Sequence, residues 1–200
     1  MADSSTGGAL LPSGTLAPLE GQGLNRFLNG WIAGVSGLPG AFVRPGWQPF
    51  PADPPTVSGA TVWAAYHIAW RHKLGFPRKV HDSTGDGQDL LQQQEQMGVL
   101  VSFYDQGTNG LADTYASVFR DGVFVDQNNE LLFLNGFGLI DAGDLVPVPT
   151  LEKNRWYMRI DCMVTLQRII QRNYPVLNLL GVDASTTSDV GASETITVSQ

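Results

Sequence analysis

Cysteine, histidine and basic residues are all scarce in this sequence. Its 200 residues include one cysteine, Cys162, so an internal disulfide is impossible and a disulfide-stapled secreted scaffold is excluded. A lone thiol and three scattered histidines, His67, His72 and His81, are poor material for a zinc site, which takes about four ligands. No metal and no cofactor is expected. Charged residues make up 16% of the chain, and twelve Lys and Arg face nineteen Asp and Glu, a formal net charge of −7. A chain so short of cations does not gain affinity by neutralising phosphates, so specific nucleic-acid binding is not expected. Long hydrophobic runs are missing too. The most apolar window, 31–43, is broken by Gly34, Gly37, Pro39 and Gly40, and the start, Met-Ala-Asp-Ser-Ser-Thr-Gly-Gly, lacks the basic and apolar regions of a signal peptide. Neither a membrane span nor a signal segment is expected.

What is present suits a folded domain, with 42% hydrophobic and 10% aromatic residues. Residues 1–20 are Gly, Ser, Thr and Pro among small apolar residues without period. Residues 184–200 carry Asp189 and Glu194 and no base. The reading is a flexible N-terminal arm over 1–20, a single domain over 21–183 and an acidic C-terminal arm over 184–200.

Within the domain, Leu24, Phe27, Leu28, Trp31, Ile32 and Val35 form the stripe of an amphipathic helix over about 23–36, stopped by Gly37 and Pro39. Five prolines over 44–55 surround Trp47 and Phe50 and predict an extended connector. Residues 61–71 alternate, with Val62, Ala64, Tyr66, Ile68 and Trp70 opposite Trp63, His67 and Arg71, which predicts a strand. Gly75 to Gln88 reads as a projecting loop. In 91–104, Met97, Val99, Val101 and Phe103 oppose Gln92, Gln94, Gln96, Leu100 and Ser102, a strand whose first half is a Gln-rich solvated ribbon. A second helix, capped by Thr108 or Asn109, runs to about Gly122, and a short segment follows around 131–134. A strand over 136–148 carries Asp141, Gly143 and Asp144 in its middle, which suits an edge position or a bulge. The longest strand, 155–171, places Trp156, Met158, Ile160, Cys162, Val164 and Leu166 inward against Tyr157, Arg159, Asp161, Thr165 and Gln167 outward. The order helix-strand-strand-helix-strand-strand predicts an α+β two-layer sandwich: a mostly antiparallel four-stranded sheet with helices on one face and a polar face opposite.

No arrangement here demands catalysis. Gly21-Gln22-Gly23 has no strand before it and no third glycine, so it reads as a helix entry rather than a dinucleotide fingerprint. Asp82-Ser83-Thr84-Gly85-Asp86-Gly87 partly imitates a calcium loop, but the position of the bidentate glutamate is Gln93, and a solvated turn is the better account. Asp141 and Asp144 have no identifiable partner for acid–base work, and Cys162 between Ile160 and Val164 reads as an inert core residue.

The long strand 154–166, entered through Arg155-Trp156, follows an N-terminal helix, a Pro-rich connector, two long strands and a helix beginning after Asn109-Gly110-Leu111. Together these resemble the neck or tail terminator family of tailed bacteriophages, over roughly 21–182. The resemblance implies a non-enzymatic virion protein, assembled in the host cytoplasm and placed in the neck of the particle. It would form a homo-oligomeric ring, typically a hexamer, that caps the head-proximal end of the tail tube, stops tail polymerisation and offers a head–tail joining surface with a channel for DNA. Its partners would be copies of itself, the tail tube protein, with the sheath as a further candidate, and head–tail connector proteins. DNA would pass without specific binding, and no membrane is involved. Under this reading the outward strand parity supplies candidate subunit contacts, Arg71, Gln94, Tyr157, Arg159 and Asp161. The loop residues Arg78, Lys79, Asp82 and Asp86 are candidates for contact with a neighbour or the lumen. Two alternatives stay open: another neck component, such as a head completion protein or portal adaptor, and a small soluble ligand-binding domain or enzyme built on loop residues such as Trp47, Phe50, Asp82 and Asp86.

Overall fold

Leu24, Leu28, Trp31, Ile32 and Val35 fall on one side of a helix and are all buried, so the helix α1, Gly21–Ser36, exists because that stripe has a sheet to cover. It ends where the sequence predicts. Gly37 takes the left-handed conformation (φ 75°) and its N–H donates to the Ala33 carbonyl. The computed structural model describes residues 8–13, 19–46, 62–106, 110–152, 155–178, 181–187 and 193–199. Trp47, Phe50 and most of the predicted Pro-rich connector lie outside the described residues, as do Thr108 and Asn109.

After a 3₁₀ turn at Gly40–Phe42 come β1 (Val43–Pro45), β2 (Val62–Asp82) and β3 (Gln88–Asp105). Then follow α2 (Leu111–Gly122), α3 (Asp126–Leu134), β4 (Phe137–Pro147), β5 (Thr150–Glu152) and β6 (Arg155–Tyr174), and finally β7 (Gly181–Thr187) and β8 (Ser193–Ser199). The strands lie side by side in the order β1-β2-β3-β6-β4, with β5 pairing to the start of β6. The α+β class is as expected, and the four long strands are neighbours. The mostly antiparallel description is compatible with this sheet, but its strand and helix counts need amending: β1 adds a short parallel edge, Val43 opposite Ala64, which makes the sheet mixed, and α3 is a third helix. β4 pairs antiparallel with β6 and shifts register between Leu139 and Asp141 and again between Ala142 and Leu145, the irregular edge that Asp141, Gly143 and Asp144 predict.

The projecting loop over 75–88 is also corrected. β2 continues to Asp82 and only residues 83–87 turn. Residues 75–79 are exposed on both faces, so the strand there shows no hydrophobic alternation and its sequence reads as a loop. The expected side-chain cap of α2 is replaced as well. Gly110 occupies the cap position (φ 68°), and the Leu111 N–H donates to the Asp105 carboxylate at 2.9 Å, so the end of β3 satisfies the helix terminus.

The chain divides into two compact units. One, residues 18–77 and 93–170, holds the helices and most of the sheet. Its core joins Leu24, Leu28 and Trp31 of α1, Ala112, Ala116 and Phe119 of α2 and Leu132 of α3 to one strand parity: Ala64 and Tyr66 of β2, Met97 to Phe103 of β3, and Ile160 to Leu166 of β6. Tyr66 ties sheet to helix by donating its hydroxyl to the Asn25 carbonyl at 2.6 Å, and burial pushes its pKa to about 12. The other unit, residues 1–17, 78–92 and 171–200, contains the β2–β3 hairpin tip, a bridge between Ser13 and Asn173, and β7 paired antiparallel with β8.

Candidate functional site

Residues two apart on a strand share a face, and on β6 this sets Tyr157, Arg159 and Asp161 in a row on the face opposite the helices. Arg159 and Asp161 are half-buried and form a two-pronged pair, Nε to Oδ1 at 2.6 Å and Nη2 to Oδ2 at 2.7 Å. The guanidinium also lies over the Tyr104 ring, 5.7 Å from its centroid. Trp63 of β2 stacks on Tyr104 with centroids 5.3 Å apart and meets Tyr157 edge-on at 5.8 Å. A recess of about 190 Å³ beside this group is lined by Gly46, Ala65, His67, Ser102, Tyr104 and Arg159. The row sets aromatic rings and a paired charge in fixed positions on this face. Among the described residues, no three His, Cys, Asp or Glu side chains gather as a metal site.

Of the five residues assigned to this face, Tyr157, Arg159 and Asp161 stand together. Gln94 is exposed on β3 and its amide reaches the Gln167 side chain of β6 at 3.5 Å. Arg71 is exposed, but no described contact joins it to the others. Trp70 lies across Gly98, on the β3 parity that also carries Tyr104, so the strict alternation predicted for β2 is lost between Tyr66 and Trp70. Trp63 and Tyr104 belong to the group and were not singled out by sequence; the parity of Trp63 was readable, its stacking was not.

The inward assignment of Trp156 and Met158 is overturned. Both share the parity of the core residue Ile160, yet they are 69% and 46% exposed, because that parity becomes buried only from Ile160 onward. With Pro147, Pro149, Tyr157 and Arg159 they line a shallow recess of about 410 Å³ at the start of β6. The Gln-rich ribbon also needs amending, since Asp89, Gln93 and Glu95 are buried and Gln93 donates to the Leu74 carbonyl at 3.0 Å.

In the second unit, Lys79 and His81 converge on the buried Asp89, at 2.6 and 2.7 Å. The Asn178 amide nitrogen donates to the Ser83 and Gly85 carbonyls, leaving its oxygen 2.9 Å from the other His81 ring nitrogen. Hydrogen bonding to Asp89 and then to Asn178 raises the His81 pKa. Burial pushes the Asp89 carboxyl up, but the bonds from Lys79 and His81 prevail and hold it below its ordinary value. Asp82 accepts from the Thr84 hydroxyl and N–H and from Gln88, and these bonds, the hydroxyl's first, lower its pKa. The calcium-like motif is thus the hairpin tip, with Asp82 holding its turn. Arg78 is exposed, and Asp86 is exposed with its carbonyl accepting the Asn178 N–H at 2.9 Å.

No curated protein matches the chain significantly. The family described as phage neck terminator protein matches over residues 22–191, which span every element from α1 to β7, and the chain belongs to that family.

Proposed function

We propose that the protein closes as a homo-oligomeric ring, a hexamer, on the head-proximal end of the tail tube. There it stops tube polymerisation and presents the joining surface for head–tail connector proteins while DNA passes through its channel. Membership of the neck terminator family carries this reading. It implies a structural protein of the virion neck that associates with other head and tail proteins, and we take the role to be structural rather than catalytic. The preformed row of Tyr157, Arg159 and Asp161, with Gln94 further along the sheet, suits subunit contact because its charges are already paired and need little reorganisation on docking. Arg71 is proposed as a peripheral part of the same contact. The tip with Arg78, Lys79, Asp82 and Asp86 is proposed to touch a neighbour or the lumen. A net charge of −7 favours a lumen that repels phosphates and lets DNA slide.

The test is the native mass of the purified chain by mass photometry, with negative-stain imaging, alone and mixed with tail tubes. Rings, or caps forming only at tube ends, are expected. A chain that stays monomeric and ignores tubes but binds portal rings would move it to another neck position and overturn the terminator role.

A further inference from the structure

Two apolar patches stand at opposite ends of the edge strand β4. At its far end, the rim formed by Pro147, Trp156 and Met158 is exposed and runs directly into Tyr157 and Arg159. At its near end, three residues before β4 starts, α3 leaves Phe133 and Leu134 59% and 75% exposed. Eleven residues of strand separate the patches by roughly 30 Å. Between α1 and α3 the second patch opens into a groove of about 210 Å³ lined by Gly34, Val35, Leu131 and Leu134 together with the polar Gln127 and Glu130.

We propose that neighbouring copies join head to tail, the Trp156 rim of one seated in the α1–α3 groove of the next; this rests on the ring reading above and names the surfaces that close it. Pairing either patch with itself would leave the other bare on both copies, and reciprocal rim-to-groove pairing about a two-fold axis would stop at a dimer, whereas a head-to-tail rim-to-groove contact covers both patches on every copy and yields a ring where the rotation per copy closes. The sizes agree. Half-exposed aromatic and aliphatic side chains give each patch on the order of 400 Å² of apolar surface, the core of an interface of about 800 Å² per partner. The row Tyr157–Arg159 continues the rim on the other face of β6, so the polar contact proposed above borders this apolar one.

The test uses the full chain with two blocking variants. Trp156→Asp charges the rim. Gly34→Arg fills the groove from a helical position whose Cβ meets nothing within 4 Å, so the fold tolerates it, and Gly34→Ala is the control. Each blocking variant should cut the oligomer population at least roughly tenfold, while Gly34→Ala assembles normally. Mixing the two blocked chains should restore heterodimers, since one intact rim then meets one intact groove. In the double variant Trp156→Cys with Leu134→Cys, mild oxidation should give a ladder of linked copies, each single variant giving none. Rings that persist in both blocking variants would overturn the groove assignment and leave the ring intact. Dimers linked through Trp156→Cys alone would mean a two-fold contact and overturn it as well. Loss of tube binding by Trp156→Asp with rings unchanged would assign the rim to the tube protein instead. A wild-type chain that forms no oligomer alone or on tubes, and a mixture that gives no heterodimer, would sink both readings together.

Discussion

Arg168 and Glu95, 73 residues apart in sequence, form an ion pair inside the core, with side chains 3% and 6% exposed. Arg168 Nε donates to Glu95 Oε1 at 2.9 Å and Nη1 donates to the Leu19 carbonyl at 2.6 Å, so one side chain ties β6 to β3 and to the approach to α1. Nη2 lies 2.8 Å from the same Glu95 oxygen as a charge contact without hydrogen-bond geometry. Its guanidinium also faces the Phe137 ring at 5.6 Å. Removing one partner strands a buried charge, so Arg168→Met or Glu95→Leu alone should cost about 3–5 kcal/mol, while the double variant should come within about 1 kcal/mol of wild type. Urea unfolding of the four proteins gives the cycle. Additive single losses would mean that the two charges do not depend on each other.

Gly98 is required by Trp70. A Cβ at Gly98 would fall inside the Trp70 indole, and the nearest atoms belong to a rigid ring. Gly98→Ala should therefore force Trp70 off its position and destabilise the protein by about 1–3 kcal/mol. Trp70 is 40% exposed and so largely buried, which gives Trp70→Ala a cost of its own, but adding Gly98→Ala to it should cost much less than Gly98→Ala alone because the clash is gone. Denaturant midpoints of the two single variants and the pair decide this; equal penalties with and without Trp70 would refute the clash.

The contrast between Leu28 and Arg168 explains what could be read from sequence. Leu28 belongs to a helical stripe, and the alternation of β6 from Ile160 to Leu166 separates two unlike faces, so burial leaves its signature in local spacing. Arg168 sits on the same inward parity, but its partner comes from another strand, and no local pattern announces it. β2 beyond Leu74 is solvated on both sides, so nothing alternates and the residues read as a loop. Trp156 shows a further limit. Parity assigns its face correctly, whereas its exposure depends on where the helix layer stops, which is a property of the assembled fold. The site is legible in the same proportion: Tyr157, Arg159 and Asp161 follow from spacing, and Trp63, Tyr104 and the α1–α3 groove follow only from packing.

Cys162 should behave as a core atom. It is fully buried, its sulfur lies 3.8 Å from the Gly143 carbonyl, and burial pushes its pKa to about 11. Only the thiolate attacks a disulfide reagent, so the native protein should remain unreactive at mildly alkaline pH and be modified at the rate of unfolding. Following thiol release with and without denaturant checks this, and a fast native reaction would contradict it. Because the thiol's folded pKa is raised, its contribution to stability is full below the unfolded value and is lost as pH rises through the folded value of about 11.

His81 makes the hairpin tip sensitive to pH. Both ring nitrogens face acceptors, Asp89 at 2.7 Å and the Asn178 oxygen at 2.9 Å, an arrangement only the doubly protonated imidazolium satisfies. The His81 pKa is accordingly raised above its ordinary 6.5, so the contact is at full strength below 6.5 and is lost as pH climbs through the folded value. Asp89 titrates in the opposite sense. Its lowered pKa means that its contribution is present above 3.8 and is lost as pH falls through the folded value. The segment around Asn178 should hold most firmly to residues 83–86 between these limits, and loosen on either side. A pH series of ¹⁵N–¹H spectra following the Asn178 amide, which donates to Asp86, together with the His81 ring, measures both edges. His81→Asn should abolish the alkaline edge and leave the acid one, and Asp89→Asn should return the His81 titration toward 6.5. His81 is exposed enough for salt to screen part of the effect, so raising ionic strength should shrink the alkaline shift. An Asn178 amide whose exchange ignores the His81 titration would show that the tip is held by the Ser83 and Gly85 carbonyls alone.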